Sequence, residues 1–255
     1  MYPNTRYQSW LAVSLGGTVA VAWALLWWLE RTPWGALFHA HGGAHAHAGH
    51  ALPLPVTAAA FVVGWTLMTV AMMLPSTFPL AEIFRRLVRR RRHAAALVGV
   101  FTVGYLVVWA ILGALVFAAG RAFGLLELSL PAWAPAAGLF LLAGAFQFSA
   151  LKYRCLEQCR APLGFVLSRW SANAGDARRT WRIGVDHGVF CAGCCWALML
   201  LMFAAASANL LWMFVLGLIM AVEKNASWGR RIGEPLGAVL LLAGGGIAAA
   251  GLAAS

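Results

Sequence analysis

A chain of 255 residues with 62% hydrophobic and only 11% charged side chains lacks the polar surface that a soluble domain of this size needs. Its thirteen Trp and fourteen Phe suit the boundary of a bilayer. The net charge of +11 does not indicate nucleic acid, because the basic residues sit in short segments between apolar runs rather than on one face.

The first apolar run extends from about Trp10 to Leu29, preceded by Arg6 and followed by Glu30 and Arg31. Crossing the hydrocarbon core takes about 20 residues, more than the apolar core of a secretory signal. An uncleaved first helix is therefore expected, with cleavage at the alanine-rich stretch downstream as the alternative. In the segment 38–50, His39, His41, His45, His47 and His50 are separated by Ala and Gly. This composition predicts a flexible external loop. Its imidazoles suit loose capture of Cu(II), Zn(II) or Ni(II), and tolerated low-complexity sequence is the other reading.

The second span is expected over Leu54 to Leu74, with Pro75 stopping or kinking it because proline removes a helix donor. A dense basic run follows, from Arg85 to Arg92, which reads as a determinant of topology and of contact with anionic lipid. The third and fourth spans cover about Ala94 to Ala119 and Trp133 to Leu151. Residues 152–186 read as a polar, basic and cysteine-bearing connection. The stretch Gly188 to Val222 overshoots a bilayer as one helix and is divided near Ser207-Ala208-Asn209. The last span, Pro235 to Leu252, is rich in Gly and Ala, which permits close helix packing.

The fold class is thus an all-α polytopic transmembrane bundle, a single membrane domain over 1–255 with about seven helices, six being the alternative count. Seventeen of the nineteen Lys and Arg fall in alternate connections. The positive-inside rule then predicts an N-terminus in the cytoplasm and a C-terminus outside, in a bacterial inner membrane. The histidine loop faces outward and the five cysteines lie toward the cytoplasm, where thiols stay reduced.

Those cysteines form two clusters. Cys155 and Cys159 are spaced i, i+4 and share one helix face. His187, Cys191 and Cys195 form a ladder of the same spacing, with Cys194 three residues beyond Cys191 and Met199 and Met202 further along. Met72 and Met73 end the second span, and Glu223 and Lys224 end the sixth, at the same level. Such thiol and thioether donors favour Cu(I), with zinc as the borderline competitor. Cys155, Cys159, His187, Cys191, Cys194, Cys195, Met72 and Met73 are the candidate ligands. Lys152, Arg154 and Arg160 would assist thiol ionisation, while Asp186, oriented toward His187, and Glu223 would stand behind the ligands. Met199 and Met202 are read as packing residues.

Met72-Met73-Leu74-Pro75-Ser76, Gln147 with Lys152-x-x-Cys155-x-x-x-Cys159-Arg160-x-Pro162, and Gly184-x-x-x-Gly188-x-x-Cys191-x-Gly193-Cys194-Cys195-Trp196 resemble a family of bacterial integral membrane proteins described as predicted metal-binding, some labelled copper chaperone. Trp212-Met213 and Glu223-Lys224 are similar to its later signature. The resemblance implies metal handling, runs from about the second helix to the sixth, and leaves out the histidine loop.

The expected function is binding of a soft metal, most simply Cu(I), for delivery, transfer or transport toward a membrane or periplasmic metalloprotein. Cys191-x-x-Cys194 also has the spacing of a redox motif, so a membrane thiol–disulfide oxidoreductase is the second reading. An assembly subunit with structural cysteines is the third. No mid-helix acid for proton coupling and no Gly-rich phosphate loop is legible in the sequence.

Overall fold

The structure, a computed structural model, describes residues 5–32, 53–125, 130–170, 175–204 and 210–254. The histidine run, His39 to His50, lies outside these residues, as does the division expected near Ser207-Ala208-Asn209.

Among the described residues the regular structure is all helical, with no strand. The helices are α1 (Thr5–Glu30), α2 (Leu54–Val88), α3 (Ala94–Leu125), α4 (Ala134–Gln147), α5 (Ala150–Arg160), α6 (Pro162–Arg169), α7 (Asp176–Leu200), α8 (Leu210–Asn225) and α9 (Gly233–Ala254), with two short 3-10 turns at Leu201–Phe203 and Gly229–Ile232. Five of the helical segments are long and apolar enough to cross a bilayer. The pair α4 and α5 makes a sixth if taken as one span broken by a 66° bend. At 16 residues, α8 is about 24 Å long, short of a hydrocarbon core of about 30 Å. Among the described residues, helix length and composition thus give five crossings, or six with the bent pair, rather than the expected seven. Apolar side chains such as Val63, Val103, Ile111, Leu115, Phe214 and Leu242 point out of the bundle, as lipid-facing residues do.

Three boundaries differ from expectation, and each difference moves functional residues into helices. The second helix does not stop at Pro75. It continues through Pro75 and Pro79 to Val88, so Arg85 and Arg86 form its last turn. Pro75 lacks the N–H that would bond the Ala71 carbonyl, and that carbonyl instead accepts a hydrogen bond from Trp23 Nε1 at 3.2 Å. The Ser76 and Thr77 hydroxyls donate back to the carbonyls of Met73 and Leu74, each at 2.8 Å.

The connection 152–186 is not an irregular loop among its described residues. Ser149, extended at ψ 138°, caps α5 by accepting from the Lys152 N–H at 3.1 Å, which sets the bend after α4. The short helix α6 follows, begun by Pro162. The helix α7 then starts at Asp176, about three turns ahead of the apolar boundary at Gly188, and carries the cysteine block well inside its length.

The core is assembled by α2, α3, α5, α7 and α8. The tightest pairing is α3 against α7, and glycine makes it so: a Cβ on Gly184 would run into the Phe101 carbonyl, and one on Gly104 would lie 2.9 Å from the Trp181 carbonyl. Small residues at such crossings let backbones touch, and dispersion and hydrogen bonding then hold the helices together inside a bilayer.

Candidate metal centre

The close α3–α7 contact puts Tyr105 beside the cysteine ladder. The Tyr105 hydroxyl lies 3.2 Å from Cys191 Sγ. One turn along, Cys194 and Cys195 bring their sulfurs to 3.3 Å of each other, and Cys194 Sγ also donates to the Cys191 carbonyl at 3.2 Å. Cys195 contacts Cys191 in turn. All three are buried, and all five cysteines are free thiols.

The other cysteine pair arrives on α5. Gly193 admits it: a Cβ there would lie 2.6 Å from Cys155 Sγ. Cys159, one turn further and half-buried, reaches Cys194 by a thiol contact. The two clusters that lie far apart in sequence thus meet at the α5–α7 crossing.

From α8 comes Lys224, only 5% exposed. Its Nζ lies 3.0 Å from Cys191 Sγ, 3.3 Å from Ser76 Oγ and 3.5 Å from Met73 Sδ. Met73 therefore faces the thiols, whereas its neighbour Met72 packs on α8 at Gly217. Met199 and Met202 are buried in the same core.

His187 enters the layer differently. It is 2% exposed and neither ring nitrogen has a hydrogen-bond partner. Its ring stacks on Tyr105 at 5.5 Å and on Phe101 at 6.2 Å, and Phe165 of α6 meets it edge-on at 5.7 Å. Asp186 does not orient this imidazole. Its carboxylate takes Arg169 Nε at 2.9 Å on a half-exposed surface, because adjacent helical residues point apart.

Glu223 stands one residue from Lys224 and serves another partner. Its carboxylate receives Lys152 Nζ at 2.7 and 2.9 Å, and Gln147 Oε1 accepts from the same ammonium. Lys152, Glu223 and Gln147 are all sealed from solvent. Arg160 closes the end of this cluster by donating to the Glu223 carbonyl at 2.5 Å and the Ser227 carbonyl at 3.1 Å. Neither Lys152 nor Arg160 is thus the cation beside the thiols; Lys224 is.

Among the described residues no group of three or more His, Cys, Asp or Glu is disposed to hold a metal ion. The thiols are instead engaged with Tyr105, Lys224 and one another. What the arrangement provides chemically is a buried set of soft sulfur donors with a cation already seated against two of them. Tyr105 belongs to this site and carries no motif spacing that would reveal it, and Ser76, which closes the Met72–Ser76 motif, belongs to it as well. Lys224 left a signal in composition, since Lys152 and Lys224 are the two lysines of the chain and the other basic side chains are Arg.

No curated protein and no solved structure matches the chain. A family model, PpoB2, described as a copper chaperone, matches residues 62–247. The match covers the helices that build the sulfur layer, includes all five cysteines and begins beyond the histidine run. Matching well over half its length, the chain belongs to the PpoB2 copper-chaperone family.

Proposed function

We propose that this protein binds Cu(I) as cargo within a bacterial inner membrane and passes it to a membrane or periplasmic metalloprotein. Cys191, Cys194, Cys195 and Cys159 supply thiolates, Met73 supplies a thioether, and Cys155, Met72 and His187 complete the soft environment. The observation that carries this reading is the convergence of cysteine and methionine sulfurs from α2, α5 and α7 in one region of the core, with a cation seated against two of them. Thiolate and thioether donors select Cu(I) over harder ions, and zinc is the ion that competes. The family's description as a copper chaperone supports the same metal.

The charge asymmetry supports an N-terminus in the cytoplasm and a C-terminus outside, with the sulfur layer toward the cytoplasm and the segment 38–50 outside. His39, His41, His45, His47 and His50 would then raise the local concentration of metal rather than bind it tightly.

The experiment is metal analysis of reduced, detergent-purified protein after anaerobic Cu(I) loading, compared with Cys191→Ser/Cys194→Ser/Cys195→Ser. Near-stoichiometric copper in the wild type, lost in the triple variant, is the expected result. Zinc retained in preference to copper would keep the ligands and change the cargo. Retention of neither metal would overturn the proposal. The thiol-oxidoreductase reading, which has the 3.3 Å approach of the Cys194 and Cys195 sulfurs in its favour, would then take its place.

A further inference from the structure

We infer that Lys224 is a resident cation that Cu(I) displaces, so that loading is an exchange of one positive charge for another. This rests on the copper-binding reading above and adds the event at the site itself. A buried ammonium ordinarily pairs with a carboxylate, as Lys152 does with Glu223. Lys224 has no carboxylate among its described partners; it touches two sulfurs and a hydroxyl. An ammonium is a hard, strongly hydrated point charge, and thiol and thioether sulfur are poor substitutes for water around it. Those same two sulfurs are good ligands for Cu(I).

The positions exclude simultaneous occupancy. Lys224 Nζ is within 3.5 Å of both Cys191 Sγ and Met73 Sδ, so an ion bonded to both sulfurs needs the space it fills. The side chain has somewhere to go. Lys224 is the penultimate residue of α8, and its flexible four-carbon stem can carry the charge toward the polar end of the helix. In the exchange, the hydrogen bonds from Lys224 to the two sulfurs break and Cys191 Sγ–Cu and Met73 Sδ–Cu bonds form. Copper stays Cu(I), Cys191 binds as thiolate, any thiol proton leaves to water, and the carrier that brought the ion is released.

Because the chain has two lysines, each reports on itself. Wild-type protein in detergent is treated under anaerobic, reducing conditions with sulfosuccinimidyl acetate, before and after one equivalent of Cu(I), and acetylation is read by peptide mass spectrometry. Both lysines should be protected without copper. With copper, acetylation at Lys224 should rise by about tenfold or more, the scale of a local opening, while Lys152 stays protected by Glu223. Persistent protection of Lys224 in protein that metal analysis shows to be loaded would overturn the exchange and leave copper binding standing. Protein that retains no copper would overturn the underlying reading instead, and the same metal analysis distinguishes the two.

A second measurement is Cu(I) affinity of Lys224→Leu, which brings no ligand of its own, by competition with a chromophoric chelator. Displacement predicts affinity equal to or above wild type. A fall of about tenfold or more would show the ammonium to be a permanent counter-ion and sink the proposal.

Discussion

Lys152 Nζ lies 2.7 Å from Glu223 Oε1, and the two side chains are 0% and 2% exposed. This ion pair ties α5, which carries Cys155 and Cys159, to α8, which carries Lys224. Removing one partner of such a pair leaves a buried charge without compensation. Glu223→Leu and Lys152→Met should each lower stability in detergent by about 3–5 kcal/mol. Lys152→Met combined with Glu223→Leu should recover most of that loss. Thermal unfolding of the three variants checks this, and a double variant as unstable as the sum of the singles would contradict it.

Gly184 and Gly193 both face α7's neighbours, with different obstacles. At Gly184 an added Cβ meets the Phe101 backbone carbonyl, which cannot move without shifting α3. At Gly193 it meets the end of one side chain, Cys155 Sγ. Gly184→Ala should therefore cost about 1–3 kcal/mol or more, the scale of overpacking in a tight core. Gly193→Ala should cost less but turn the Cys155 sulfur away, seen as faster alkylation of Cys155 with little change in melting temperature.

Tyr105→Phe keeps the ring that stacks on His187 and removes the hydroxyl 3.2 Å from Cys191 Sγ. The expected stability loss is about 1 kcal/mol, that of one hydrogen bond. Copper stoichiometry should be unchanged, because Tyr105 supplies no sulfur. Unfolding curves and metal analysis of the same preparation test both halves.

Trp23 and Pro75 should be coupled. In wild type the indole N–H satisfies the Ala71 carbonyl that Pro75 leaves open. Trp23→Phe should cost about 1–3 kcal/mol from that unsatisfied carbonyl alone, on top of lost packing. In a Pro75→Ala background the alanine amide can take the carbonyl within the helix, so the same change should cost less. Additivity in the double-variant cycle would show that the indole bond carries no such role.

Orientation is tested from outside the core. In a cysteine-free chain, Arg91→Cys should react with an impermeant maleimide only from the cytoplasmic side, and Arg121→Cys only from the outer side. Both positions are exposed and fall in successive connections of the charge pattern. Labelling of both from one side would reject the expected topology.

The helical class, the long apolar segments and the cysteines that pack against one another were legible in the sequence, because each is a local property. Apolar run length reports the environment, and i, i+4 spacing reports a shared helix face. The recurrence of Met72-Met73, Cys155, Cys191 and Glu223-Lys224 near the ends of apolar runs foretold that four segments would share a level, and in the fold α2, α5, α7 and α8 do meet there. Helix limits were less legible. Pro75 marks a break only where its missing bond goes unreplaced, and the replacement comes from Trp23, 48 residues away in another helix. Residues 176–187 are too polar to read as part of a span, yet they continue the helix of the cysteine block.

Partner choice within the layer was decided by tertiary structure alone. Sequence proximity suggested Lys152 for the thiols of α5 and Asp186 for His187. Packing gave Lys152 to Glu223, Asp186 to Arg169 and Lys224 to Cys191. Charge type is written in the chain, but which opposite group lies within bonding distance depends on how helices cross. That crossing is fixed by glycines such as Gly184 and Gly193, whose contribution is the space they leave for another segment.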